Sequence, residues 1–186
     1  MRDPKRVAIL ISGRGSNMRA LVECAENYEV VLIASNKPNA LGLEWAKARG
    51  LLTWSLESKG TDKEDYDRKL SAALDDAGAG TIALAGFMRI LSPWFVETWA
   101  GRIVNIHPSL LPKYRGLDTH ARAIEARDAA SGCSVHIVTE ELDAGEVLGQ
   151  AEVVIEPGDT PFTLEQRVLA AEHILYPEVL NEFVLR

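Results

Sequence analysis

Cysteine is scarce in this chain. Cys24 and Cys133 are its only two, and they show neither a metal-binding spacing nor a disulfide framework. That excludes a stapled mini-protein and a zinc module, and it fits a cytoplasmic protein in which both thiols fill space. Positive charge is also short. Lys and Arg number 20 against 27 Asp and Glu, for a net charge of −7. The broad basic footprint of a non-specific nucleic-acid binder is therefore missing. A small anionic substrate stays open, because one dipole or one cation can outweigh the mean field. No apolar run approaches a membrane span. The run Val7-Ala8-Ile9-Leu10-Ile11 is too short for a signal-peptide core, and with Gly13 close behind it reads as a strand. Repeats, low-complexity tracts and linkers are absent, so residues 1–186 read as a single domain with room for a sizeable core. There is no G-x-S-x-G elbow, no H-x-x-x-H pair and no Gly-Lys-Ser/Thr loop, which speaks against serine hydrolases, zinc peptidases and P-loop nucleotidases.

What is present is an alternation. Buried strands are predicted at 7–11, 30–34, 81–85 and 102–106, with a short one at 51–56. Helices are predicted at 16–25, at 41–49 with Gly50 as the stop, and at 62–76 opened by Thr61; another opens at Ser92-Pro93 and a fifth covers 118–127. Nearly continuous apolar strands separated by amphipathic helices indicate an α/β fold: a Rossmann-like, mostly parallel sheet with helices on both faces. The pattern then changes. Residues 134–138 and 147–155 read as a late antiparallel strand pair, and a last helix runs from Thr160-Pro161 to about Phe183, with Pro177 expected to end or kink it. In such sheets ligands bind beyond the C-terminal strand ends. The segments 13–17, 86–91 and 105–108 fall there together.

The densest chemistry lies in Asn105-Ile106-His107-Pro108-Ser109-Leu110-Leu111-Pro112. Side chains two apart on a strand share a face, so Asn105 and His107 project together. An amide donor beside a titratable ring can hold a carbonyl oxygen that becomes an oxyanion. Ser12-Gly13-Arg14-Gly15-Ser16-Asn17 follows the first strand and opens the first helix. Glycines admit a ligand to the backbone, and free helix N–H groups favour a phosphate there over an ordinary turn capped by Ser16. Met18 stands where the third glycine of a dinucleotide fingerprint would be, and Ser35-Asn36-Lys37 replaces the acidic ribose ligand, which disfavours an NAD(P) oxidoreductase. Leu142-Asp143-Ala144-Gly145 alone reads as a turn. Were Asp143 brought to His107, its charge would favour the imidazolium. His136 reads as a packed or supporting histidine. Trp45, Trp54, Trp94 and Trp99 read as core or helix-face anchors.

These motifs resemble the folate-dependent formyltransferase superfamily, and within it the phosphoribosylglycinamide formyltransferases. The resemblance runs from residues 9–17 through Ser35-Asn36-Lys37, 84–93, 105–116, Ser134-Val135-His136 and 141–145 to Glu172-His173-Ile174-Leu175-Tyr176-Pro177. It implies formyl transfer from 10-formyltetrahydrofolate to the amine of glycinamide ribonucleotide in purine biosynthesis, without a metal. It implies Asn105, His107 and Asp143 as the catalytic trio, and Gly15, Ser16 and Asn17 as the phosphate loop with Glu172 near the glycinamide end. It also implies Met88, Arg89, Ile90 and Leu91, with Thr139, Glu140, Glu141, Leu142 and Asp143, as folate-binding segments, joined by Lys63 where the family often has arginine and by Asn105. The partners implied are these small molecules, not nucleic acid or membrane, in a monomer or homodimer. Arg14 replaces a frequent Asn. Arg115 replaces a frequent proline, so that Lys113-Tyr114-Arg115-Gly116 is similar to the methionyl-tRNA formyltransferase version. Family members often continue past the last helix, so a trimmed C-terminus is an expectation. The competing expectations are a formyltetrahydrofolate hydrolase with water as acceptor, an NAD(P)-binding oxidoreductase and a non-catalytic nucleotide-binding module.

Overall fold

The computed structural model describes residues 2–186. Seven strands form one sheet in the order β3-β2-β1-β4-β5-β6-β7. They are β1 (Arg6–Ile11), β2 (Glu29–Ser35), β3 (Thr53–Ser55), β4 (Thr81–Leu84), β5 (Ile103–His107), β6 (Ala130–Ile137) and β7 (Val147–Val154). The helices are α1 (Ser16–Glu23), α2 (Leu41–Lys47), α3 (Lys63–Asp76), α4 (Pro93–Thr98), α5 (Thr119–Glu125) and α6 (Pro161–Phe183). The first five strands are parallel, whereas β6 is antiparallel to both β5 and β7. The α/β alternation and the late antiparallel pair stand as the sequence predicted.

Because successive side chains on a strand face opposite ways, each strand feeds two cores. On β5, Val104 and Ile106 join one core with Met18 and Leu21 of α1, Leu43 of α2 and Val168 and Leu180 of α6. Ile103 points the other way, into a core with Tyr66, Leu70 and Leu74 of α3 and Phe95 and Trp99 of α4. Asn105 and His107 share the face of Ile103 by the period of two, so they stand on the α3/α4 side.

Two expectations need correction. Asp62, not Thr61, caps α3: its side chain accepts from the N–H groups of Glu64 at 2.9 Å and Asp65 at 3.1 Å. Second, β6 starts at Ala130, four residues early, because Ser131 and Gly132 are recruited by backbone pairing with β7 rather than by apolar character. A Cβ on Gly132 would lie 2.0 Å from the Ala151 carbonyl oxygen, so the close approach of β7 depends on glycine there. The last helix, α6, reaches Phe183 as the sequence predicted, with Pro177 inside it rather than at its end. An interior proline costs about 3 kcal/mol. Burial of Leu164, Val168, Tyr176, Val179 and Leu180 against the sheet outweighs it, at roughly 1.5–3 kcal/mol for each large aliphatic side chain.

Tyr176 does more than fill space. It is fully buried, and its hydroxyl lies 2.9 Å from the Val104 carbonyl oxygen and 3.1 Å from that of Leu84, bridging β4 and β5 just below the site. Tyr176→Phe strands polar groups in an apolar core. It should lower unfolding free energy in urea by about 1–3 kcal/mol with the m-value unchanged.

Candidate active site

Four segments build the site. Those after β1, β4 and β5 leave the sheet at its C-terminal edge, and the β6–β7 connection joins them by folding back. The first two are tied at the backbone, with Ser12 N–H donating to the Gly86 carbonyl at 3.1 Å. The Ser12 hydroxyl completes the tie. It donates to Asn36 Oδ1 at 2.5 Å and accepts the Met88 N–H at 2.7 Å. Neither Ser12 nor Asn36 stood out as a locking residue in the sequence, since one hydroxyl or amide in a loop carries no signal.

Gly15, with φ of 73°, is the N-cap of α1 and offers no side-chain cap, so the first-turn N–H groups stay unspent. The expected alternative, a turn capped by Ser16, is not what forms. α2 packs behind the loop. The Gly42 N–H donates to the Gly13 carbonyl at 3.1 Å, and a Cβ on Gly15 would lie 3.4 Å from Gly42 Cα. Ser16 is half-exposed at the first helical position. Asn17 turns inward, donating its side-chain amide to Glu172 Oε2 at 2.7 Å, and both residues are buried. The loop and α6 therefore meet through this pair. Burial pushes the Glu172 carboxyl up to about 6, against the opposing hydrogen bond from Asn17.

On β5, Asn105 is half-buried and His107 buried. Asn105 lies across from His136 in the β5–β6 register, and its Nδ2 donates to His136 Nε2 at 3.1 Å. The other ring nitrogen of His136, Nδ1, donates to the Ile137 carbonyl at 3.0 Å. Burial pushes this ring below the usual histidine range, although the Ile137 bond and Asp143 oppose it. A neutral His136 that accepts at Nε2 fixes which way the Asn105 amide points and leaves its second N–H for a ligand. His107 Nε2 faces the Tyr114 carbonyl at 2.9 Å, which leaves its Nδ1 turned towards Asp143.

Asp143 reaches this face because residues 138–146 fold back over β5 and β6. Its Oδ2 lies 3.4 Å from His107 Nδ1 and accepts the Gly116 N–H at 2.9 Å. Its Oδ1 lies 3.6 Å from His136 Nε2, which is not an ion pair while that nitrogen accepts from Asn105. The return is tight. A Cβ on Gly145 would lie 1.8 Å from the Ile137 carbonyl oxygen. The Asp-Ala-Gly turn is thus a structural device that also delivers a carboxylate. Asn105, His107 and Asp143 come together as one group.

The other expected residues flank this group. Met88 and Ile90 expose most of their surface, as does Leu142 on the returning segment, while Leu91 is buried. Arg89 is pinned: its guanidinium stacks 4.4 Å from the Tyr66 ring centre and its Nε lies 3.8 Å from Asp67 Oδ1. Asp67, fully buried on α3, also accepts the Ser92 N–H at 2.6 Å, so α3 sets the course of 88–92. An Asp on a charged helix reads as solvated, and the sequence hid this role. Lys63 begins α3, and its carbonyl faces Arg89 Nη2 at 3.4 Å. Thr139 Oγ1 donates to the Glu141 carbonyl at 3.1 Å, Glu140 is exposed, and the Glu141 carboxylate pairs with Arg115 at 2.6 Å. Among the described residues no cluster of His, Cys, Asp and Glu could hold a metal, and no helix is long and apolar enough to cross a membrane.

Together these groups present two N–H donors, a carboxylate beside one of them, and a helix N-terminus with free amides. Residues 5–180 match the formyl transferase family profile. The phosphoribosylglycinamide formyltransferase of Escherichia coli (strain K12) is 45% identical over 182 residues, covering 95% of this chain and 86% of that protein. The trifunctional purine biosynthetic protein adenosine-3 of Drosophila melanogaster is 46% identical over 97% of this chain, which spans only 14% of that longer protein. The crystal structure of phosphoribosylglycinamide formyltransferase from Brucella melitensis superposes with a TM-score of 0.92 at 46% identity, covering 98% of this chain and 96% of that one.

The raised Glu172 value makes a stability test. A carboxyl that titrates higher when folded destabilises the fold once ionised, so its cost is absent below about pH 4.5 and complete above about pH 6. Glu172→Gln should leave stability unchanged at low pH and raise it by about 2 kcal/mol at pH 8, read from urea unfolding at both pH values.

Proposed function

The chain belongs to the formyl transferase family, and on that premise we propose that it formylates the amine of glycinamide ribonucleotide, a step of purine biosynthesis, with 10-formyltetrahydrofolate as the donor. The observation that carries this reading is the convergence of Asn105, His107 and Asp143 beside an uncapped helix N-terminus. A phosphorylated acceptor suits that N-terminus, where free N–H groups and the helix dipole favour an anion. The flat, apolar benzoyl ring of the donor suits the exposed Met88, Ile90 and Leu142.

The amine attacks the formyl carbon, a C–N bond forms, and the carbonyl electron pair moves onto oxygen. Asn105, through the N–H that His136 leaves free, and His107, through Nδ1–H, donate to that oxygen. Preorganised donors of this kind cost no reorganisation when the charge develops. Asp143, 3.4 Å from the His107 ring, relays a proton from the attacking nitrogen to the leaving nitrogen of the folate. The C–N bond to the folate then breaks, the carbonyl re-forms, and tetrahydrofolate leaves. Without that proton transfer the incoming amine is the better leaving group and the reaction reverses.

Glycinamide ribonucleotide incubated with 10-formyltetrahydrofolate and the protein should gain one formyl group by mass spectrometry. Formate released without any acceptor would instead indicate hydrolysis. Asp143→Asn should keep both ligands bound and lower kcat by about 10²–10⁴-fold, the range for a lost acid–base group. Near-normal turnover in that variant removes Asp143 from the mechanism. Ser16→Ala should raise the KM for the phosphorylated acceptor while leaving that for the folate within about two-fold, because a helix N-terminus acts only within its first turn.

A further inference from the structure

One short segment touches both halves of the His107–Asp143 contact. The Tyr114 carbonyl accepts from His107 Nε2 at 2.9 Å, and two residues later the Gly116 N–H donates to Asp143 Oδ2 at 2.9 Å. We propose that Tyr114 to Gly116 form a backbone bracket that sets the spacing of His107 and Asp143, and that Asp128 is the positioning residue that holds the bracket in place.

The backbone of the bracket is not one the chain would choose unaided. Tyr114 has φ of 53° and Gly116 has φ of 80°. The left-handed conformation costs a non-glycine residue about 1–2 kcal/mol and persists only where the surroundings over-determine it. Here they do. Asp128, in the turn before β6, accepts from the Tyr114 hydroxyl at 2.8 Å and from Lys113 Nζ at 3.0 Å. Those two bonds hold the Asp128 carboxyl below the usual carboxylate range. Arg122 of α5 donates to the Arg115 carbonyl at 2.8 Å and lies 5.1 Å from the Tyr114 ring centre. The buried Ser109 hydroxyl donates to the Lys113 carbonyl at 2.6 Å. Each tie acts on the bracket or on the residue before it. Asp128 bonds no ring nitrogen and no carboxylate of the trio, so its influence on the reaction runs through Tyr114.

His107 and Asp143 come from β5 and from the β6–β7 connection, 36 positions apart in sequence. The segment 138–146 is anchored at its ends by the strands, and Asp143 itself sits at φ of 49°. Gly116 supplies the backbone hydrogen bond to its carboxylate. Loosening the bracket therefore frees the ring and the carboxylate at once. A misplacement of about 1 Å can cost about 10²-fold in rate.

The kinetic arm rests on the formyl-transfer reading, whereas the structural arm needs no substrate. In the free protein, NMR of Tyr114→Phe should show a shifted His107 ring Nε2 signal, and Gly116 amide exchange faster by about tenfold as the bracket opens locally. Tyr114→Phe and Asp128→Ala should lower kcat about tenfold or more with both KM values within about two-fold, since orientation is lost and binding is not. Asp128→Asn keeps an acceptor for the Tyr114 hydroxyl and should recover most of what Asp128→Ala loses. A purely structural role would lower thermal stability and raise both KM values without that recovery. Unchanged His107 and Gly116 signals in Tyr114→Phe and Asp128→Ala overturn the bracket whatever the turnover. Altered signals with unchanged kcat overturn its part in the reaction. If the parent protein moves no formyl group, the formyl-transfer reading falls and the NMR arm alone decides the bracket.

Discussion

Asn105 and His136 face each other across the junction where the parallel part of the sheet ends. Four parallel pairings lead up to β5, and there β6 runs the other way. The reversal puts a neutral ring opposite an amide at a distance of 3.1 Å. Both side chains are polar and at least half-buried, so each must find a partner or cost several kcal/mol. They satisfy each other, which fixes the amide's orientation and leaves one N–H to spare. The same reversal sends the chain out at Ile137 on the level of Val104 rather than above the strand ends. The connection to β7 must therefore climb back over the sheet, and Asp143 lies on that climb.

The two helix layers divide the work. α1, α2 and α6 cover the face behind the glycine loop, where the Asn17–Glu172 pair ties the loop to the long C-terminal helix. α3 and α4 cover the other face as far as Ile103. Further along the sheet, irregular segments take over from helices, and the polar residues of β5 and β6 stand in that gap. Loops can carry chemistry only when something rigid aims them. Here the aiming is done by buried polar atoms: Asp67 on the Ser92 backbone and beside Arg89, Ser12 on Met88, and Tyr176 on the carbonyls of β4 and β5.

Charge is spent locally. The chain is acidic as a whole, yet the expected anion site is a helix N-terminus with no acidic residue in the first turn. Partial charges on unspent N–H groups act within a turn of the helix, over distances where the net charge of a small protein matters little. Glu172 is the acidic group tied to that loop, and its burial raises its proton affinity.

Much of this was legible from the residues in order. Hydrophobic period and turn chemistry located every strand and helix, and the i, i+2 rule put Asn105 and His107 on one face, because these are short-range properties of the backbone. The motifs of the three loops at the strand ends were visible for the same reason. Other features were decided only by folding. The pattern carried the last helix to about Phe183 but left open whether Pro177 would end or kink it, since the cost of that proline is offset by distant strands. Nothing around Asp67, Asp128 or Tyr114 marks them as other than surface residues, because their partners lie in other elements. The meeting of Asp143 with His107 is of the same kind. A carboxylate and a ring 36 positions apart become neighbours only when an antiparallel strand turns the chain back over the sheet, and tertiary packing alone sets that distance.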